Sequence, residues 1–249
     1  MIYICIPTHD EGPTVGLLLW KIRKVLEEFP REYQFLVGDD ASTDGTPEIL
    51  EPYQKVLPLT VLRSDNRLGY ARTLERLLRL ALERTDRPKR DTAILMHADF
   101  THGPEFIPEM VRQLESGADM VVTEATLAGQ PSRAERWVRR LAPLLLRGAV
   151  RIPGVRDVTS GFAAFRLSTL RQTFRHPTGT ILQTEGWAAN AELLGRAAVH
   201  ARRIESVATV ERSDLRRRES RIDPWERAKA LWRAGSALRR VNLGEAGRA

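Results

Sequence analysis

The sequence predicts an α/β protein built on a doubly wound, mostly parallel sheet. Three observations carry that expectation. Short apolar runs alternate with amphipathic stretches of helical length through the first half of the chain. The runs end in small, acidic or turn-forming residues, where strands of such a sheet open onto a ligand crevice. The length, 249 residues with 42% hydrophobic and 29% charged side chains, suits one large domain or a domain with an appendage.

In order, Ile2–Ile6 is an apolar run stopped by Pro7, the pattern of a buried strand. Thr14–Phe29 carries Val15, Leu18, Leu19, Ile22, Val25 and Leu26 at helical spacing. Tyr33–Val37 predicts a second strand, Thr46–Tyr53 a short helix and Leu59–Arg63 a third strand. Tyr70–Glu83 turns Leu74, Leu77, Leu78 and Ala81 to one side, and Thr92–Met96 predicts a fourth strand. Pro104–Ser116 is a helix with proline in its first turn, followed by a fifth strand over Asp119–Thr123. After about Gln130 the alternation loosens. Two later stretches, Ala134–Val150 and Asp223–Val241, read as basic amphipathic helices with Trp137, Trp225 and Trp232 among arginines. Such stripes suit a membrane surface, and equally a docking face on the chain's own domain or on a homodimer partner.

Composition narrows the function classes. Cys5 is the one cysteine and lies in an apolar strand pattern, so it is expected to be a packed thiol. No CxxC or His/Cys cluster suggests structural zinc. No run approaches the roughly eighteen apolar residues that a bilayer-spanning helix needs, and no signal-like leader opens the chain, so a cytoplasmic location is expected. The net charge of +7 suggests phosphate-bearing partners or, alternatively, a salt-bridged arginine-rich surface. Nucleic acid is not expected, because no aromatic platform or recognition motif interleaves the arginines.

The densest strand end is Leu36–Thr46, LVGDDASTDGT. It places Asp39 and Asp40 side by side, where carboxylates would accept from the NH and OH groups of a nucleotide base and ribose. The same acids and Ser42 would also serve a loop that caps the helix from Thr46. The first strand ends in Pro7-Thr8-His9-Asp10-Glu11, and the third is followed by Asn66-Arg67-Leu68-Gly69-Tyr70-Ala71-Arg72. The fourth ends in His97-Ala98-Asp99-Phe100-Thr101-His102-Gly103-Pro104-Glu105.

In that order these motifs resemble the inverting glycosyltransferases of family 2, with the GT-A fold. PTHDE resembles P-T-Y-N-E, GDDASTDGT resembles V-D-D-G-S-T-D-G-T, and LMHADFTHGPE resembles M-D-A-D-L-Q-H-P-P-E. Asp157-Val158-Thr159-Ser160-Gly161-Phe162, with Phe165-Arg166, resembles D-x-x-S-G-F-R-x-F-R and points to the dolichyl- or polyprenyl-phosphate mannose synthase group. The resemblance spans roughly residues 1–221. It divides the chain into a nucleotide-sugar half (1–125), an acceptor-side half (126–221) and a basic helical tail (222–249).

The resemblance implies transfer of a mannosyl or glucosyl group from a GDP- or UDP-sugar to a polyprenyl phosphate or similar lipid, with inversion. It places Pro7, His9, Glu11 and Ala98 around the nucleotide-sugar, lets Asp39 and Asp40 accept from it, and sets Arg72 nearby. Asp99 becomes the metal-bound acid of the DxD motif, for Mn²⁺ or Mg²⁺. The first acid of that motif is His97, which can ligate as a neutral imidazole and would favour Mn²⁺. Thr101 replaces the usual Gln, His9 the usual Tyr and Ala163 the usual Arg. Asp157 is the candidate base, or a turn acid before Ser160-Gly161. Acceptor phosphate would meet Arg133, Arg212, Ser220 and Arg221, and Glu185 and Glu192 could face the acceptor. Peripheral attachment at the cytoplasmic membrane face follows from such a lipid acceptor. Two other functions stay open: a glycosyltransferase acting on a hydroxyl, and a weakened nucleotide-sugar or membrane-binding module. A nucleotidyltransferase would want a glycine-rich phosphate loop after the first strand, and PTHDE is not one.

Overall fold

The computed structural model describes residues 1–128, 133–146, 148–175, 179–212 and 224–240. Its centre is a seven-stranded sheet in the order β3-β2-β1-β4-β6-β5-β7. The strands are β1 (Ile2–Thr8), β2 (Tyr33–Asp39), β3 (Leu59–Arg63), β4 (Thr92–Leu95), β5 (Met120–Ala128), β6 (Ala163–Arg166) and β7 (Ile204–Arg212). All seven residues of β1 are buried, as expected for a strand covered on both faces.

Alternate residues of the strands feed opposite layers. Ile4, Ile6, Phe35, Val37 and Ile94 pack against α1 (Gly12–Glu28), α2 (Thr46–Val56) and α4 (Ile107–Glu115). Tyr3, Cys5, Leu36, Ala93 and Leu95 pack toward α3 (Tyr70–Arg84), α6 (Leu167–Thr173) and α7 (Trp187–Ala198). Each fully buried leucine or isoleucine in these layers contributes about 1.5–3 kcal/mol. Cys5 is free and buried, and desolvation pushes its thiol pKa up, which makes it the packed thiol its context predicts.

The first five strands and the helices between them follow the sequence expectation. Beyond them the structure adds two strands that the sequence does not announce. β6 runs antiparallel between β4 and β5, pairing Ala163 with Leu95 and with Val122, and β7 runs parallel to β5 along its whole length. Antiparallel insertion has a local consequence. It sends Ser160-Gly161, just before β6, to the carboxyl end of β4.

The two amphipathic helices take the docking alternative, with their tryptophans on another face than the spacing predicts. α5 (Arg133–Leu145) and α8 (Pro224–Arg240) pack together and join the core through Val138, Ala142, Leu146, Leu231, Ala234 and Leu238. Their tryptophans do not share that face. Trp137, Leu141 and Leu144 of α5 and Trp225 and Trp232 of α8 are exposed, so each helix is apolar on two sides. Among the described residues no helix is long and apolar enough to cross a membrane.

Candidate active site

The chain runs outward from β1 to β2 and β3, then returns to lay β4 on the other side of β1. At such a reversal the loops leaving neighbouring strands diverge, and a crevice opens at the carboxyl ends. A cavity of 340 Å³ lies there, lined by Pro7, His9 and Glu11 after β1, Asp40 after β2, and His97, Ala98 and Asp99 after β4. Three non-glycine residues in left-handed conformation follow these same strands: Asp10 (φ 49°), Ala41 (φ 55°) and Phe100 (φ 62°). Such conformations cost energy and persist where the surroundings enforce them.

Hydrogen bonds knit the β1 and β2 loops into one unit. Asp10 N donates to Ser42 Oγ at 2.9 Å, and Thr43 N donates to Asp10 Oδ1 at 2.8 Å. His9 Nδ1 lies 2.8 Å from the Asp40 carbonyl oxygen, and its Nε2 lies 3.3 Å from Asp10 Oδ2. The buried Glu11 accepts from Thr14 Oγ1 at 3.3 Å. Asp40 accepts from Leu68 N at 2.6 Å and Gly69 N at 2.9 Å, so its carboxylate ties the β2 end to the turn that opens α3. Gly69 there takes φ +94°, a conformation that favours glycine. Asp39 is fully buried; Oδ1 accepts from Ser42 N, while Oδ2 takes no hydrogen bond and lies 3.6 Å from Arg63 Nε.

A column of rings crosses the β4 end. Tyr70 stacks on His97 at 5.3 Å and 14°, His97 faces His102 at 6.4 Å, and His102 meets Phe162 at 5.4 Å. Tyr70 donates to Asn190 Oδ1 at 2.6 Å, and Asn190 Nδ2 donates to the Thr159 carbonyl oxygen at 3.2 Å. Although Tyr70 as a residue is half-buried, its phenol is desolvated. That desolvation, then the nearby carboxylates of Asp99 and Glu185, pushes its pKa up, so it remains a hydrogen-bond donor. His97 lies so close to Gly161 that a Cβ there would overlap Nε2 and Cδ2 of the imidazole. Asp99 Oδ1 accepts from Thr101 Oγ1 at 2.7 Å and Thr101 N at 3.2 Å. Arg212 N donates to the Thr101 carbonyl oxygen, which brings Glu211 at the end of β7 into the cavity wall.

The remaining wall is less polar. Trp187 and Ala188 of α7 and Ala230 and Leu231 of α8 line the same cavity. Glu185 lines it too, accepting from Ala71 N at 3.2 Å. Glu192 does not. It is fully buried, accepts from Gln183 N, Thr184 N and Thr184 Oγ1, and pairs with Arg196 at 2.8 Å, which is a structural role.

Pro7, His9, Glu11, Asp40, His97, Ala98 and Asp99 are therefore brought to one cavity. Asp39, Arg72, Asp157 and Arg212 are not among its lining residues. Arg72 is exposed on α3, and Arg67 in the preceding loop is the arginine on the wall. Asp157 is half-buried and accepts from Thr159 N at 3.1 Å and Thr159 Oγ1 at 2.8 Å, the geometry of a turn acid. Arg212 is exposed at the end of β7. Arg133 opens α5, with its side chain outside the described set, and Ser220 and Arg221 lie outside the described residues. Sequence reasoning missed Tyr70, Gly161, Trp187, Glu211 and Leu231. Tyr70 and Gly161 carried a signal, because both lie inside motifs that the sequence displays, whereas Val207–Arg212 shows no apolar alternation that would turn Glu211 inward.

Among the described residues no group of three or more His, Cys, Asp or Glu side chains is placed to hold a metal ion. Asp99 and Glu211 nonetheless line the cavity as hard oxygen donors, with His97 beside them. One or two carboxylates suit Mg²⁺ or Mn²⁺ when substrate phosphates complete the coordination, so the donor set fits a cation shared with a diphosphate.

The sequence model of glycosyl transferase family 2 matches residues 3–174. Over 185 residues the chain is 26% identical to a dolichol-phosphate mannosyltransferase of Pyrococcus furiosus, covering 72% of this chain and 49% of that protein. Over 149 residues it is 24% identical to an undecaprenyl-phosphate 4-deoxy-4-formamido-L-arabinose transferase of Proteus mirabilis, covering 60% and 43%. The matches thus span about half the length of these relatives or less. Glucosyl-3-phosphoglycerate synthase of Mycobacterium tuberculosis, solved with Mn²⁺, UDP and glucosyl-3-phosphoglycerate, superposes with a TM-score of 0.64 at 19% identity, covering 98% of this chain and 80% of that one. S. aureus TarS 1–349 with UDP gives 0.62 at 17% identity, covering 95% and 64%. The shared architecture is the GT-A fold.

Proposed function

The chain belongs to glycosyl transferase family 2, and from that premise we propose that it moves a mannosyl or glucosyl group from a GDP- or UDP-sugar to a polyprenyl or dolichyl phosphate, inverting the anomeric centre. One observation carries the choice of acceptor. The acid-lined cavity at the strand ends takes part of its wall from Leu231 of α8, a helix that exposes Trp225 and Trp232 and packs on α5, which exposes Trp137, Leu141 and Leu144. Both helices carry exposed cations, Arg136, Arg140, Lys229 and Arg233, which suits an anionic lipid surface. A lipid phosphate could therefore enter while its chain stays at the membrane face. The names of the relatives, both transferases to lipid phosphates, support the same acceptor class.

In this function Pro7, His9, Glu11 and Asp40 hold the base and ribose, the buried Asp39 supports their loop through Ser42 N, and Ala98 and Asp99 lie along the diphosphate. Asp99, with His97 or Glu211, would hold the divalent cation. Bound there, the cation would act as a Lewis acid that stabilises the departing diphosphate. Arg67 supplies the positive charge at the wall, and Arg133, Arg212, Ser220 and Arg221 are assigned to the acceptor phosphate. A phosphate acceptor is already anionic and needs placement more than a base, and Asp157 spends Oδ1 on Thr159 and is not itself among the residues lining the cavity. A hydroxyl acceptor would need a base within reach of the cavity.

The test is incubation with GDP- and UDP-sugars, Mn²⁺ and a short polyprenyl phosphate, with the lipid product identified by mass. A glycosylated lipid phosphate is expected; free sugar alone from every donor sinks the lipid acceptor. Peripheral attachment is checked separately. The protein is expected to float with anionic vesicles, and Trp137→Ser with Trp232→Ser to weaken that binding roughly tenfold, about the loss of one well-buried apolar side chain. Equal flotation of wild type and variant would remove these helices from the membrane contact.

A further inference from the structure

Residues 179–187 form a segment held by carboxylates. Glu75 Oε2, buried on α3, accepts from Ile181 N at 2.9 Å and Leu182 N at 3.1 Å. Glu192 Oε2, buried on α7, accepts from Gln183 N at 2.9 Å and Thr184 N at 3.0 Å. Each acid is balanced by an arginine one turn on, Arg79 and Arg196, both at 2.8 Å. Buried acids that spend their oxygens on successive backbone amides fix the course of a chain that has no regular structure of its own. The chain so fixed ends by presenting Glu185, Gly186 and Trp187 to the cavity, with Gly186 at φ +57° making the turn into α7.

We propose that this fixed segment is the sugar-selecting wall of the cavity, in which the Glu185 carboxylate accepts hydrogen bonds from hydroxyls of the transferred hexose and Trp187 covers an apolar face of the ring. The proposal rests on the glycosyl-donor function given above. Glu185 is exposed, and its one hydrogen bond among the described residues, from Ala71 N to Oε2, occupies a single acceptor position on a group with about four. Hexose hydroxyls are donors in need of acceptors, and a carboxylate binds them more strongly than a neutral group. Trp187 offers a flat apolar surface in the same wall. The base and ribose side is built from the β1 and β2 loops, so a donor seated there turns its sugar away from them.

The experiment is calorimetric binding of UDP, UDP-glucose, GDP and GDP-mannose to the full chain with Mn²⁺, for wild type, Glu185→Ala and Trp187→Ala. For the nucleotide that wild type binds, both variants are expected to lose about tenfold in affinity for the sugar-nucleotide, the scale of one charge-assisted hydrogen bond. Affinity for the bare nucleotide should stay within about twofold. Equal loss for both ligands overturns the proposal, since Glu185 would then act only by holding the α3 turn. No loss for either ligand also overturns it. So does a Glu185→Gln variant that keeps sugar-nucleotide affinity but loses most of its transfer rate together with the acid limb of the pH–rate profile, which would make Glu185 a base. If wild type binds none of the four ligands, the transferase function itself fails, a result separate from the others. Glu75→Gln is the positioning control. It leaves Glu185 and Trp187 intact and is expected to lower the same ratio of sugar-nucleotide to nucleotide affinity, with melting temperature followed alongside.

Discussion

Asp99→Asn is expected to lower glycosyl transfer by about a hundredfold to a thousandfold, the scale seen when one electrostatic contact to a developing charge is removed. The fold should survive the change. Asp99 Oδ1 accepts from Thr101 N and Thr101 Oγ1, and asparagine keeps an oxygen that can do the same. What asparagine loses is the negative charge on the second oxygen, in a wall shared with Glu211 and beside His97. A cation balanced against a leaving diphosphate depends on that charge more than on the shape of the residue. Initial rates with the accepted donor and a short polyprenyl phosphate, set against the melting temperature, decide the matter. Full activity in a stable variant would remove Asp99 from the chemistry.

Gly161→Ala is expected to cost about 1–3 kcal/mol of stability, the usual range for overpacking, and to depress transfer as well. The new methyl would overlap Nε2 and Cδ2 of His97 and come within 3.1 Å of Asn190 Nδ2. His97 cannot retreat without leaving its stack on Tyr70, whose hydroxyl is held by the same Asn190. The clash can be told from a general effect of alanine by a double-mutant cycle. In the His97→Ala background the methyl group meets a vacated space, so Gly161→Ala should cost much less there. The same destabilisation in both backgrounds would show that His97 does not set the size limit at position 161.

The half of the fold that sequence made legible is the half built from local signals. β1 to β5 are short apolar runs between helices with clear spacing, and the acids at their ends are read directly from the strand stops. β6 offers only Ala163–Arg166, too short to be told from a loop, and its place between β4 and β5 depends on residues far away in the chain. β7 mixes polar and apolar residues without regular alternation, so it shows neither the strand period nor a continuous apolar run. The site divides along the same line. Pro7, His9, Glu11, Asp40 and Asp99 follow strands that the pattern reveals. Gly161, Glu211, Trp187 and Leu231 arrive through an antiparallel insertion, an edge strand and two docked helices. Arg72 illustrates the limit of motif transfer. Its helical phase turns it to solvent, and the loop residue Arg67 reaches the wall instead.

The wall that Leu231 contributes has a mechanical meaning. Gly235, one turn further along α8, runs so close to Leu146 that an added Cβ would fall 2.6 Å from its backbone. That close seat leaves α8 little room to slide past the end of α5, so a pull on either helix is passed to the other. Any tether that seized their exposed tryptophans would thereby also load the cavity wall that Leu231 supplies.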